Sequence, residues 1–112
     1  MNQSEKLART WIDCWNRGVP DELPLIDDFQ HESPFGKVRG RDNYLTWVKP
    51  LAAKNVTELR VIRTVSSGDA CAIWFEMRTA QGWVPVCDWV TTKDGMITSI
   101  HSFYDASGLT QE

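Results

Sequence analysis

No stretch of this sequence approaches the roughly 18 consecutive apolar residues that a membrane span requires. The opening residues Met1-Asn2-Gln3-Ser4-Glu5-Lys6 lack the apolar segment of a secretion signal. A cytoplasmic location and no membrane partner are the resulting expectations. Cysteine is scarce: Cys14, Cys71 and Cys87 are an odd number, with neither CxxC nor Cys/His ligand spacing. That pattern indicates neither a disulfide framework nor a zinc site, and buried free thiols are the expected state. No metal and no cofactor is expected. Basic residues are scattered and the net charge is −3, which leaves no electrostatic footprint for nucleic acid. Internal repeats, low-complexity tracts and linkers are missing too, so residues 1–112 are expected to form a single domain around one core.

What is present is an ordinary soluble composition, 42% hydrophobic and 24% charged, with one excess. Trp11, Trp15, Trp47, Trp74, Trp83 and Trp89 are too many large rings for one compact core of this size, so some are expected to line a pocket or a subunit interface. Helical spacing opens the chain: after Ser4 as N-cap, Leu7, Ala8, Trp11, Cys14 and Trp15 share one face, and Gly18 supplies a stop. Asp21 is read as the cap of a second, short helix carrying Pro24 in its first turn and ending by Asp28. Phe29 to Ser33 read as a short strand, cut off by the Pro34-Phe35-Gly36 turn. A third helix from Gly40 places Tyr44, Trp47, Val48, Leu51 and Ala52 at helical spacing, with Pro50 expected to kink or shorten it.

From Leu59 the period changes to that of strands. Turns at Ser67-Gly68-Asp69, Gln81-Gly82 and Lys93-Asp94-Gly95 divide the rest into a four-strand meander ending at Asp105, with a loose tail beyond. Helices first and a meander afterwards predict an α+β fold with an antiparallel sheet rather than βαβ units. On the strand from Ala70 to Thr79, the apolar set Cys71, Ile73, Phe75 and Met77 competes with Trp74, Glu76 and Arg78 for the inner face, and register decides between them.

Four stretches then carry a resemblance: Trp11 to Gly18 (WIDCWNRG), Glu32 to Gly40 (ESPFGKVRG), Val86-Cys87-Asp88-Trp89, and Asp94-Gly95-Met96-Ile97 with Phe103-Tyr104-Asp105. Together with the element order, the sequence resembles the nuclear transport factor 2-like superfamily, in particular its SnoaL-like and ketosteroid-isomerase-like members. The resemblance implies a cone-shaped, cystatin-like curved antiparallel sheet packed against three N-terminal helices, and pairing as a homodimer through the sheet. In ketosteroid isomerases a tyrosine and a protonated aspartic acid form an oxyanion hole, and an aspartate before a proline moves the proton. Carried over, these positions match Trp11, Asp88 and Ser33. Only Asp88 is retained, and Ser33 cannot take a proton from a carbon acid near neutral pH, so that isomerisation is not expected. The Arg/Asp arrangement of limonene-epoxide-hydrolase-like members is missing, since Val86 stands two residues before Asp88. The final-strand carboxylate of polyketide-cyclase-like members is replaced by Ser102.

The candidate catalytic residues are Asp88 and His31. Asp88 lies between Val86 and Val90 on an apolar strand face, where a buried carboxyl has a raised pKa and can donate a hydrogen bond. The competing reading sends Asp88 to solvent. His31 shares a strand face with Ser33 and could act as the base that Ser33 cannot be, or be a structural histidine. The expected ligand pocket draws on Trp11, Trp15, Phe29, Ser33, Phe35, Tyr44, Val48, Ser102 and Tyr104, with His101 left outside. A small hydrophobic, oxygen-bearing molecule is the expected ligand. Two functional readings stay open: an isomerase, lyase or hydrolase-type enzyme using Asp88 as acid or oxyanion stabiliser, and a non-catalytic binding protein.

Overall fold

The structure, a computed structural model, describes residues 2–55, 58–80 and 82–107. Helix α1 runs from Gln3 to Arg17. Its apolar stripe buries Ala8, Trp11, Ile12 and Cys14, the one-sided pattern of a helix lying on a sheet. The N-cap is Asn2 rather than Ser4: the Asn2 side chain accepts from the backbone N–H groups of Ser4 and Glu5 at 2.7 and 3.4 Å. Ser4 sits inside the first turn, buried, its hydroxyl against Asn2 Oδ1 and the Ala70 carbonyl. Gly18 ends the helix in the left-handed region at φ 68°, as the sequence predicts.

The expected second helix is reduced to a single 3₁₀ turn, Pro20–Glu22, and strand β1, Leu25–Ser33, starts four residues earlier than expected. Pro24 is the cause. It forces the preceding residue out of the helical region, and Leu23 is extended at ψ 132°. The fold therefore contains two α-helices among the described residues, not three. After the Pro34-Phe35 turn the chain adds a strand that the sequence reading did not include, β2, Gly36–Arg39. Helix α2 spans Arg41–Asn55 and continues past Pro50, which neither ends nor shortens it. The burial of Leu51 and Ala52 lies outside the described residues, as do Gln81 in the expected turn and the tail from 108.

The meander follows as predicted: β3, Glu58–Ser67; β4, Ala70–Thr79; β5, Gly82–Lys93; and β6, Met96–Tyr104. Asp94 and Gly95, both at positive φ (53° and 79°), make the tight β5–β6 hairpin that an Asp-Gly pair favours. All six strands form one curved, unclosed sheet in the order β2-β1-β6-β5-β4-β3. The sheet is not purely antiparallel, because β1 pairs with β6 in parallel. Register shifts at Val61/Arg63 in β3 and Thr91/Thr92 in β5 interrupt the ladders, and such bulges bend a sheet. Helix α1 lies across β3, β4 and β5, and α2 across β1 and β2. The Asn16 side chain clamps edge strand β3 to α1, donating to the Leu59 carbonyl at 2.9 Å and accepting from the Leu59 N–H at 2.7 Å.

Register settles the faces of β4. Cys71, Ile73, Phe75 and Met77 point into the core, while Trp74, Glu76 and Arg78 point outward. Replacing Ile73, which is fully buried, by Ala should destabilise the protein by about 2–5 kcal/mol. Ile62→Ala, at an exposed position on β3, should stay within about 0.5 kcal/mol. Urea denaturation of both variants measures the contrast, and equal losses would contradict the face assignment.

Candidate functional site

Strand alternation sets the polar groups of the site on the inner face of the sheet, in two successive rows. The ladders align His31 of β1 with Ile100 of β6, Val90 of β5 and Cys71 of β4, all buried. Two residues along β6, β5 and β4 come Ser102, Asp88 and Ile73. Asp88 is directly opposite Ser102 across the β5–β6 ladder. The His31 Nε2 and the Ser102 Oγ are 3.1 Å apart. His31, Ser102 and Asp88 are all buried, Asp88 to 2% exposure, so the solvent-facing alternative for Asp88 does not hold. Beyond them on the same face lie Tyr104, half-buried, with Val86 and Phe75, buried, and Ser33 is buried at the end of β1.

The two helices cover these groups with rings. Trp11 of α1 donates its indole N–H to Asp88 Oδ2 at 3.1 Å and stacks on His31 at a centroid distance of 6.2 Å. Tyr44 and Trp47 of α2 approach the His31 ring at 5.0 and 5.9 Å. Phe29 meets Tyr44 edge-on, and Trp15 lies beside Trp11. Phe35 and Tyr104 pack against each other at 6.2 Å. Ser33 accepts from the Phe35 N–H at 3.2 Å, which fixes the turn rather than presenting a base.

Each residue expected at the site is thereby placed. Trp11, Phe29, His31, Ser33, Tyr44, Val48, Asp88 and Ser102 are buried; Trp15, Phe35 and Tyr104 are half-buried. His101 faces away, stacked on Phe103. The sequence reading did not place Trp47 in the ligand set. Its position three residues after Tyr44 and one before Val48 puts it on the same helix face, which was the available signal. Among the described residues, no group of three or more His, Cys, Asp or Glu side chains is placed to hold a metal ion.

Burial dominates the electrostatics. It pushes the Asp88 pKa up to about 7, against the opposing effects of Ser102 and the Trp11 N–H. Burial also pushes His31 down to about 4, with His101 adding a small repulsion. Tyr44 is held well above its ordinary value by burial and by the nearby Asp88. Among the described residues, four buried polar atoms have no hydrogen bond of ordinary geometry: Asp88 Oδ1, His31 Nδ1, Tyr44 Oη and Trp15 Nε1, with Trp15 close enough to act on the Tyr44 hydroxyl. An unmet buried polar group costs about 1–3 kcal/mol, and native interiors leave few of them. All four belong to the ring cluster around His31 and Asp88.

The shifts oppose each other in pH dependence. Asp88 titrates above its ordinary value of 3.8, so its contribution to stability is present at low pH and is lost as pH rises toward 7. His31 titrates below 6.5, so its contribution is present above that pH and is lost as pH falls toward 4. Between about 4 and 6.5 the two slopes cancel. Relative to wild type, His31→Gln should lose stability with rising pH across this window, and Asp88→Asn should gain it. Each change should be on the order of 3 kcal/mol. Urea midpoints measured against pH check the opposite signs, and parallel profiles would show that neither group is shifted.

The profile of the SnoaL-like domain matches residues 8–100. No curated protein matches the sequence. Among solved structures, an NTF2-like protein of unknown function from Cytophaga hutchinsonii superposes with a TM-score of 0.79 at 16% identity, covering 95% of this chain and 93% of that one. A protein from Catenulispora acidiphila with a ketosteroid isomerase-like fold, solved in complex with trimethylamine, gives 0.77 at 19% identity, covering 94% of each chain. A de novo designed protein with a curved β-sheet gives 0.81 at 16% identity, covering 94% of this chain and 88% of that one. At these identities the structural likeness speaks for the fold, and the profile match over most of the sequence speaks for the family. The chain belongs to the SnoaL-like domain family.

Proposed function

We propose that this protein binds a small hydrophobic, oxygen-bearing molecule between the inner sheet face and the two helices, against Asp88 and His31. The observation that carries this reading is the set of four unpartnered polar atoms gathered in one aromatic cluster. A ligand oxygen would satisfy the tyrosine and tryptophan donors, and its carbon skeleton would rest on the rings. In the catalytic form of the proposal, the enzyme is of the isomerase, lyase or hydrolase type. Asp88, protonated near neutral pH, donates a hydrogen bond to a ligand oxygen on which negative charge develops. Uncharged His31 moves a proton. One contact favours the second reading, a non-catalytic binding protein: Trp11 spends its N–H on Asp88 instead of presenting a donor to the ligand. Three free cysteines fit a reducing compartment, and with it the cytoplasm. Among the described residues, no helix is long and apolar enough to cross a membrane.

A second copy of the chain is the proposed partner. Trp74, Trp89 and Phe103 lie outward at 48–53% exposure on three adjacent strands, with Trp74 and Phe103 flanking Cys87 and Trp89 two residues along. An exposed aromatic patch of this kind is suited to a self-complementary two-fold contact. Arg60, ion-paired to Glu76 at 2.6 Å and lying 4.3 Å over the Trp83 ring, gives the patch a polar rim.

Two measurements test these proposals. A thermal-shift screen of small hydrophobic ketones, esters and epoxides should return binders, and Asp88→Asn should then separate the readings. An enzyme should lose about 100–1,000-fold in turnover, whereas a binder should lose only modest affinity; a variant indistinguishable from wild type in both would remove Asp88 from the function. Sedimentation should show a dimer that Trp74→Glu converts to monomer, and a wild-type monomer at micromolar concentration would overturn the interface.

A further inference from the structure

Ser102 is the group that joins the acid to the imidazole. It stands opposite Asp88 across the β5–β6 ladder, its hydroxyl is 3.1 Å from His31 Nε2, and its side chain is buried, so no bulk water intervenes at the surface. A serine hydroxyl has one proton and can donate in only one direction at a time. If it donates to the Asp88 carboxylate, it accepts from His31 Nε2–H, and His31 Nδ1 is left with a bare lone pair. If Asp88 is protonated and donates to Ser102, the hydroxyl proton turns to His31 Nε2, and Nδ1 carries the hydrogen. Nδ1 is the unpartnered nitrogen, within the Trp11, Tyr44 and Trp47 rings.

We propose that Ser102 is a positioning residue that couples the protonation of Asp88 to the tautomer of His31, so that the acid acts on the ligand through His31 Nδ1. This rests on the reading that a ligand binds against His31 with Asp88 as the acid, and it differs from it in one respect: the Asp88 proton points to Ser102 and not directly to the ligand oxygen. The proton balance is closed. His31 gives its Nδ1 proton to the ligand, Ser102 passes its own to Nε2, and Asp88 passes its own to Ser102. The ligand has gained one proton, Asp88 is a carboxylate, and His31 and Ser102 are neutral at both ends. The reverse sequence accepts a proton at Nδ1. Such a chain never charges the imidazole, which this burial strongly disfavours. Other titratable groups around these three are Tyr44 from α2 and Tyr104 on β6, with Cys87 next to Asp88 and His101 next to Ser102 on the outer face. Burial raises both phenols and the thiol, which keeps them uncharged at neutral pH.

The test is a pH titration of the ¹⁵N-labelled full chain without ligand. It reads which His31 nitrogen carries the proton, alongside the carboxyl carbon of Asp88, above the pH of about 4 at which His31 itself charges. Nδ1–H should dominate below the Asp88 midpoint and Nε2–H above it, with one shared midpoint. Ser102→Thr, which keeps the hydroxyl, should switch likewise. In Ser102→Ala, Asp88 should still titrate while the His31 tautomer no longer follows. Asp88→Asn, which cannot ionise, should hold His31 in one tautomer at every pH, and serves should the alanine variant fail to fold. A wild-type His31 that keeps one tautomer through the Asp88 titration, or an alanine variant that switches as wild type does, would overturn the coupling while leaving Asp88 as the acid. An Asp88 midpoint in the ordinary carboxylate range would overturn the acid itself, and the coupling with it.

Discussion

A carboxyl group on the inner face of an otherwise apolar strand is the constraint around which this interior is arranged. Asp88 could be buried as an anion only beside a compensating charge, and among the described residues no lysine or arginine acts on it. Its hydrogen-bonding neighbours are the neutral Trp11 N–H and the Ser102 hydroxyl. The carboxyl therefore keeps its proton up to about neutral pH. The same dry surroundings keep His31 uncharged down to about pH 4. An acid and a base that would form an ion pair in water are both neutral here, and Ser102 lies between them. One interior thus holds a transferable proton without holding a charge.

The fold supplies that environment through geometry that neither helix nor sheet could provide alone. Register puts Ser102 and Asp88 side by side and His31 beside Ile100, one step away on the same inner face, in a sheet that bulges bend. Helix α1 brings Trp11 onto Asp88, and α2 brings Tyr44 and Trp47 onto His31. The parallel pairing of β1 with β6 is essential to this, since it sets His31 within hydrogen-bonding reach of Ser102. The unmet polar atoms among the described residues gather in this cluster, where the proposed ligand would satisfy them.

Much of this was legible in the sequence because strands obey a period of two. Alternation alone put Asp88 with Val86 and Val90, and His31 with Ser33 and Phe29, and the Asp94-Gly95 pair marked its hairpin. What escaped notice depends on competition between local signals or on distance along the chain. Asn2 and Ser4 are both good caps, and the choice falls to Asn2 because Ser4 is buried against Ala70. Asp21 and Pro24 look like a helix start, yet a proline's effect on the residue before it outweighs the cap. Pro50 sits inside a helix despite its missing N–H, so the local breaker signal does not set the helix's length there. The Trp11–Asp88 bond joins residues 77 positions apart, and no periodicity can announce it.

The alternation that buries Asp88 also decides what faces outward. With Asp88 and Ser102 inside, Cys87, Trp89, His101 and Phe103 must lie on the opposite face, and with Ile73 inside so must Ala72 and Trp74. The aromatic outer surface and the acidic inner row are therefore not independent features. A one-residue slip of β5 against its neighbours would turn Trp89 into the core and Asp88 into solvent, losing both together. Exposed outer rings and a neutral acid within are two consequences of a single register, and that register is pinned by the Asp94-Gly95 turn at one end and by the Trp11 contact in the middle.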